Sequence, residues 1–237
     1  MLLCSGGVAI NRETYPRVIP FALFIAFIGI EEIIRFFTEN GLLQNPGNLS
    51  YFLYPIKTIA TGIILLYFWP RYDEIHPRDY LNFSQTVLSV FAGLLVFSLW
   101  ILMGWDWATF GTLRGYDPTI FPDGVTRITL IGFRLAGASL VVPVMEELFW
   151  RSFLVRYLIA HDFMKVGIGR FTWLSFIVTV ILFGLEHNFW LSGIMAGAVY
   201  TLLLYRTKSI AQCILSHAIT NFALGAYVLN TGKWHFW

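Results

Sequence analysis

The chain has 237 residues, of which 57% are hydrophobic and 18% aromatic, while only 13% are charged. A soluble domain carries roughly 25% charged residues, so this composition, with a mean hydropathy of +0.67, indicates an integral membrane protein. The net charge of +2 is too small and too scattered for a nucleic-acid partner, and two cysteines, Cys4 and Cys213, provide no disulfide framework.

Apolar runs of about 20 residues, the length that crosses ~30 Å of hydrocarbon, follow one another along the chain. In chain order they cover 18–37, 51–70, 84–104, an overlong run 128–160, 171–187, 189–205 and 209–229. We therefore predict an all-α fold, a polytopic transmembrane bundle with about seven crossings. The "MLLCSGG" start hints at a lipobox, but three residues before Cys4 are too few for the apolar region of a signal peptide, so we expect no cleavable signal.

The chain carries neither a soluble domain nor a linker, which predicts one integral membrane domain over 1–237. Within it, 18–127 supplies the N-terminal spans and 128–229 the core with most of the chemistry. The run 128–160 measures about 50 Å as a helix, too long for one straight crossing. A crossing over 140–160, with Ser139 as N-cap and Pro143 in the first turn, would leave 128–138 as an interfacial or re-entrant helix.

Loop charges predict the orientation. Counting lysine and arginine between the spans, alternate segments hold eight on one side: Arg12, Arg17, Arg71, Arg78, Lys165, Arg170, Arg206 and Lys208. The opposite segments hold three: Arg114, Arg127 and Lys233. Because cytoplasmic loops are enriched in such residues, we expect the N-terminus in the cytoplasm and the C-terminus outside.

Charged residues inside predicted spans are candidate functional groups, because they are costly there unless paired. In "GIEEIIRFF", Glu31 and Glu32 lie four and three residues before Arg35, so both can meet one guanidinium in a structural ion pair or face a substrate. Lys57 and Arg134 are lone cations, for which we expect snorkelling or pairing with those glutamates.

"MEELFWRSF" holds the second charged group. Glu147 lies four residues before Arg151 and predicts an ion pair on one helix face, with Arg151 and Arg156 buried rather than in a loop. Glu146 is turned about 100° away and has no local cation. An unpaired buried carboxylate suits a general base, although a purely structural role for the whole stretch is equally open.

Two later spans add histidines at helical spacing. "LFGLEHNFW" places Phe183 four residues before His187, and "CILSHAITNF" places His217 four residues before Asn221. A lone intramembrane histidine is usually an interhelical hydrogen-bonding group. Two of them, with an asparagine and a free glutamate on three spans, favour a site containing a base, a water-holding group and an oxyanion donor.

These residues resemble the CAAX prenyl endopeptidases and their bacterial relatives, the CAAX protease and bacteriocin-processing group. That family's motifs, EExxxR, FxxxH and HxxxN or HxxxD, read here from Glu146 to Arg151, from Phe183 to His187 and from His217 to Asn221, within about 139–225. In the first half, "YPIKTI" and "FWPRYDE" look like the bacterial branch that accompanies exosortase-type protein sorting, a looser match.

The resemblance implies an intramembrane protease of the bacterial inner membrane that cuts near the C-terminus of membrane-bound or lipid-anchored proteins. It implies that Glu146 activates water with His187, that His217 and Asn221 hold the oxyanion, and that Glu147 and Arg151 support them. Glu186 departs from the pattern, which leaves the protonation of His187 open.

A zinc ion on Glu146, His187 and His217 is the alternative to metal-free chemistry with no cofactor, which we favour because no HExxH is present. Two rival classes use the same residues. A non-catalytic binding or immunity protein would lack a motif residue, and none is missing. A proton-coupled carrier would show matching halves, and the sequence has no such symmetry.

Overall fold

A computed structural model describes residues 12–44, 48–111, 113 and 115–237; Cys4 and Arg114 lie outside this described part. Its seven long helices are α1 (Thr14–Glu39), α2 (Leu49–Phe68), α3 (Phe83–Leu102), α4 (Val125–Tyr157), α5 (Trp173–Leu185), α6 (Trp190–Thr207) and α7 (Ile210–Thr231). The same residues contain no strand. The all-α bundle is confirmed, and each predicted span agrees with a helix to within about one turn.

Four of these helices, α2, α3, α4 and α7, are long and apolar enough to cross a membrane by length and composition, and α5 is a shorter apolar helix. Large apolar side chains cover the outside of the bundle, for example Leu66 (71% exposed) and Phe91 (65% exposed). In water such a surface would be an aggregation hazard, whereas in hydrocarbon it is the expected exterior. The chain is an integral membrane protein.

Helix α4 differs from the sequence prediction. It runs without a break from Val125 to Tyr157, so there is no separate helix over 128–138, and Ser139 is a buried residue inside the helix rather than an N-cap. A π-turn over Gly137–Val141 lies just before Pro143. A wider turn changes the hydrogen-bond partners next to the proline, which has no N–H and would clash with the carbonyl four residues earlier in a regular helix. The helix therefore absorbs the proline instead of ending at it.

Small residues let neighbouring helices approach closely. A Cβ on Gly93 of α3 would lie 2.4 Å from the carbonyl oxygen of Ser216 on α7, and a Cβ on Gly184 of α5 would lie 2.8 Å from the carbonyl oxygen of Trp190 on α6. Membrane helices associate through such close packing, since lipid provides little hydrophobic drive between them. Each contact packs a helix that carries a motif, α7 or α5, closely against a neighbouring helix.

One end of the bundle, here called the basic end, consists of residues 69–82, 158–172 and 208–209. A buried network joins its segments: Arg17 donates from Nε and Nη2 to the two oxygens of Glu74, both at 2.7 Å, and Ser152 donates to Glu74 as well. Arg156 lies 3.8 Å from Glu74 and confirms the prediction that this arginine is buried.

Glu74 lies in a loop of the basic end. Burial alone would raise the pKa of Glu74, but hydrogen bonds and the charge of Arg17, with the Ser152 hydroxyl, outweigh burial and hold the pKa below its ordinary value. The resulting stabilisation is present above the unfolded pKa of about 4.3 and is lost as the pH falls through the folded pKa.

The opposite end, here called the cavity end, consists of residues 103–124, 186–189 and 232–237 in the described part. Phe110 N–H donates to the carbonyl of Asn188 at 2.8 Å, and Tyr116 N–H donates to the carbonyl of Trp237 at 3.1 Å. These bonds tie three loops into one rim around the top of the helices.

Candidate functional site

The two glutamates of α4 lie between two π-turns. Glu146 and Glu147 end a short regular stretch, Val142–Glu147, and a second π-turn, Leu148–Leu154, follows at once. π-turns occur inside α-helices most often at functional sites, where they re-aim side chains. Both glutamates are buried, Glu146 at 8% exposure and Glu147 at 0%.

Glu147 is held on two sides. Its Oε1 lies 3.2 Å from Nη1 of Arg151, the pair predicted from the sequence, and 2.9 Å from Nδ1 of His217 on α7. Because a carboxylate in an ion pair only accepts hydrogen bonds, we assign the proton to Nδ1 of His217. Glu147 therefore fixes the orientation of the imidazole, and Nε2 of His217 faces the other glutamate.

Glu146 has no such support. Its Oε2 is buried without a hydrogen-bond partner among the described residues, and the nearest basic atom recorded is Nε2 of His217 at 4.0 Å. A buried polar atom without a partner is rare in folded proteins and marks a position where a water molecule, an ion or a substrate completes the site. The two adjacent carboxylates thus differ: Oε1 of Glu147 is held by Arg151 and His217, although its Oε2 has no partner among the described residues, whereas Glu146 has no recorded hydrogen bond to a described residue.

His187 follows the end of α5. Its Nδ1 lies 2.7 Å from the carbonyl oxygen of Phe183, four residues earlier, so that nitrogen carries the proton and Nε2 keeps its lone pair when the ring is neutral. The FxxxH spacing is therefore the bond that fixes the ring. Phe183 also packs under the guanidinium of Arg151, at 4.2 Å from its centroid.

Glu186 is part of the site, although sequence reasoning left its role open. Its Oε1 accepts a hydrogen bond from Nε1 of Trp150 at 3.0 Å and lies 3.9 Å from Nδ1 of His187. The sequence analysis did not single out Trp150. The signal that could have identified it is its indole N–H, which needs an acceptor when it is buried, as it is inside the EExxxR stretch.

Asn221 and Tyr200 complete the walls. The side-chain amide of Asn221 donates to the carbonyl of Ala138 at 2.8 Å, within the first π-turn. The ring of Tyr200 stacks on His217 with centroids 4.9 Å apart, and its hydroxyl donates to Thr220. The sequence analysis did not single out Tyr200, because a tyrosine in an apolar helix has many structural roles.

These side chains meet in one inner cavity of about 250 Å³. Glu146, His187, His217 and Asn221 line it, whereas Glu147 and Arg151 lie behind the wall. The cavity is large enough for several water molecules or a short stretch of peptide. The structure therefore brings the predicted base, water-holding group and oxyanion donors to one space, and keeps the predicted supporting pair outside it.

An outer cavity of about 480 Å³ adjoins the inner one. The two share four lining residues, Tyr54, Lys57, Arg134 and Trp237. The outer cavity is also lined by Gly115 and Asn188, which belong to the cavity end. The inner cavity is thus approached from that end of the bundle.

The cations predicted as lone charges have different environments. Lys57 pairs with Glu31 at 3.2 Å, as expected, whereas Arg35 pairs with Glu32 alone and not with both glutamates. The expectation of one shared guanidinium is wrong because α2 offers Glu31 an ammonium group from a neighbouring helix. Arg134 forms no ion pair with a carboxylate of the described residues.

Metal-ligand geometry singles out a set that differs from the zinc site considered from the sequence, which was Glu146, His187 and His217. Ligand atoms of Glu146, Glu186 and His187 all lie within 4.8 Å of one another, and His217 is not in this group. His217 already donates from Nδ1 to Glu147. Two carboxylates and an imidazole are ligands that zinc accepts, so these three residues fit a metal ion chemically.

Comparison with known families covers the later part of the chain. Residues 128–223 match the family model described as type II CAAX prenyl endopeptidase Rce1-like. This segment contains all three motifs. It therefore includes Glu146, His187, His217 and Asn221, which line the inner cavity. No curated protein and no solved structure matches the chain.

Proposed function

We propose that this chain, whose residues 128–223 match the type II CAAX prenyl endopeptidase family, is an intramembrane endopeptidase acting near the C-terminus of membrane-bound or lipid-anchored proteins. The observation that carries the proposal is the carboxylate of Glu146, buried in a shared cavity beside His187 and His217 without a hydrogen-bond partner among the described residues. The segment 128–229 is the catalytic core in this proposal, and the helices of 18–127 complete its walls.

Glu146 is the general base. It takes a proton from a water molecule held with Nε2 of His187, and the water oxygen bonds to the carbonyl carbon of the substrate. The C–N bond then breaks, and the proton held by Glu146 passes to the leaving amine. A general base of this kind contributes about 10²–10⁴-fold to a rate.

His217 and Asn221 stabilise the oxyanion that forms in between. As an imidazolium, His217 donates from Nε2, while Glu147 holds Nδ1 and stabilises the positive ring. The amide of Asn221 has two N–H groups, and only one is needed for the bond to Ala138. Glu147 and Arg151 position these donors without touching the substrate.

A zinc ion is the alternative water activator in the same cavity. Glu146, Glu186 and His187 would hold it, and it would supply Lewis-acid polarisation of water or of the scissile carbonyl. We favour the metal-free mechanism, in which Glu186 instead orients the site through Trp150. The family match over residues 128–223 does not favour the rival classes, a non-catalytic binding protein and a carrier.

A peptide-level comparison tests the function. Membranes from cells that contain the protein should hold shortened C-termini of specific membrane proteins, and these species should be missing when the gene is deleted and when only Glu146→Gln is supplied. Chelators should leave cleavage by the purified protein unchanged in the metal-free mechanism. Loss of cleavage on chelation and its return with zinc would establish the metal mechanism, and identical peptide profiles in all cells would contradict the proposal.

The setting proposed is a bacterial inner membrane, with the N-terminus in the cytoplasm and a link to an exosortase-type sorting system. The support for this orientation is the clustering of lysine and arginine toward the basic end. The two stretches that resemble the exosortase-associated branch contribute residues to the cavities and to the buried network. "YPIKTI" contributes Lys57 to the cavities, and "FWPRYDE" contributes Glu74 to the buried network.

Reporter fusions test the orientation. A phosphatase reporter that is active only outside the cytoplasm should be active when fused after Trp237 and inactive when fused within 72–80. Green fluorescent protein at the same positions should give the opposite pattern and serves as the control. Activity of one reporter at both positions would place both ends of the bundle on one side and would overturn the orientation.

A further inference from the structure

We propose that Arg134 forms a carboxylate-binding subsite that holds the C-terminal carboxylate of the substrate while Glu146 acts on a peptide bond deeper in the cavity. This inference rests on the proposed function and adds a specificity-determining residue to it. With this subsite, the enzyme selects substrates by their free C-terminus rather than by an internal peptide segment.

The first support is the state of Arg134. Its guanidinium carbon lies 4.4 Å from the ring centroid of Tyr54 and 5.4 Å from that of Tyr116. Its Nε is buried and has no hydrogen-bond partner among the described residues. An arginine packed against two neighbouring rings is restricted in orientation, and its planar N–H fork matches a carboxylate in a bidentate pair.

The second support is charge. The other cation shared by the two cavities, Lys57, already pairs with Glu31, and Arg35 of the outer cavity pairs with Glu32. Glu31 and Glu32 are therefore paired with other cations, and Arg134 has no ion pair with a carboxylate of the described residues. A partly buried cation of this kind is costly unless a ligand completes it.

The third support is position. Arg134 and Glu146 lie on one helix, α4, twelve residues apart, and both line the inner cavity. At 1.5 Å per residue the separation along the helix is at most about 18 Å. An extended peptide covers that distance in about five residues, so the subsite reads a chain end a few residues beyond the scissile bond.

The experiment compares two pools of peptides with a fatty-acyl N-terminus and five randomised residues, one ending in a carboxylate and one in a carboxamide. Cleavage is followed by mass spectrometry with the full-length protein in a zwitterionic detergent. We expect the wild type to cleave the carboxylate pool about 10- to 100-fold faster, the range for a charge-assisted hydrogen-bonded pair. Arg134→Gln should reduce that ratio to near one, because it removes the charge that only the carboxylate pool can use.

Arg127→Gln is the matched control. Arg127 is on the same helix but lines neither cavity and binds the carbonyl of Phe121, so the ratio should stay at the wild-type value. A wild-type ratio near one, or a ratio that Arg134→Gln leaves unchanged, would overturn the subsite. Slower cleavage of both pools by the same factor in Arg134→Gln would also overturn it, because that is the result of a structural role.

Two further arms separate the remaining explanations. Binding of both pools to Glu146→Gln, measured by thermal stabilisation, tests the subsite even if neither pool is cleaved by the wild type; preference for the carboxylate pool then supports the subsite while the proposed function fails. An anionic lipid headgroup offers the same charge as a carboxylate. If Arg134→Gln changes only the response to added phosphatidylglycerol, and never the carboxylate preference, the residue is a lipid site and the proposal is wrong.

Discussion

Glutamine at position 146 should abolish measurable proteolysis, with cleavage lowered at least ~10²-fold, the lower end for general-base contributions. The substitution keeps the size and shape of the side chain but removes the proton acceptor. Because the Oε2 atom of Glu146 has no protein partner among the described residues, no internal bond is lost and the protein should fold normally. Purified protein, assayed on a substrate identified from membrane profiles, provides the rate, and thermal unfolding provides the stability.

The matched control for this change is Glu32→Gln, which removes a carboxylate from an exposed ion pair with Arg35. It should leave cleavage within about twofold of the wild type, since exposed pairs contribute less than about 1 kcal/mol. Full cleavage by Glu146→Gln would contradict both the metal-free and the zinc mechanisms, because each requires this carboxylate.

Glutamine at position 147 should instead damage folding and activity together. The change leaves Arg151, itself fully buried, without its charged partner and replaces the carboxylate at Nδ1 of His217 with a neutral amide. Breaking a buried pair by removing one member costs about 3–5 kcal/mol. We expect a clear loss of thermal stability and of yield, together with loss of cleavage.

A double variant separates these two effects. In Glu147→Gln with Arg151→Met, no buried charge is left unpaired, so most of the stability should return. Cleavage should not return, because a neutral amide at position 147 lacks the negative charge that stabilises the His217 imidazolium. Restored cleavage in the double variant would show that Glu147 does not position His217, and normal stability in the single variant would show that Arg151 does not depend on Glu147 as its charged partner.

The helices were predictable because apolar length alone determines a membrane span. The meeting of Glu146, His187, His217 and Asn221 was predictable only as a grouping, since spacing within each motif says which face a residue shares but not where the helices cross. The path of α4 was not predictable. A serine a few residues before a proline is typical of the start of a helix. No local sequence pattern predicts the π-turn that lets Pro143 remain inside one.

Long-range partners were also beyond sequence reasoning. Arg17 and Glu74 are separated by 57 residues and meet only because α1 packs near the loop after α2. Glu31 lies four residues before Arg35 on the same helix, yet it pairs with Lys57 of α2. From a helical sequence, only charge pairs three or four residues apart on the same helix can be predicted. In a bundle, a buried charge can instead pair with an opposite charge on a neighbouring helix.

The rim formed by residues 103–124, 186–189 and 232–237 has a consequence for when the enzyme can act. In the orientation proposed above, with the basic end in the cytoplasm, the approach to Glu146 would begin on the far side of the membrane. A polypeptide still being made, or still held by cytoplasmic factors, would then have no route to the cavity. Processing would be a post-export event: the substrate would first be translocated, its tail would be released into the outer compartment, and the remaining protein would stay anchored in the bilayer.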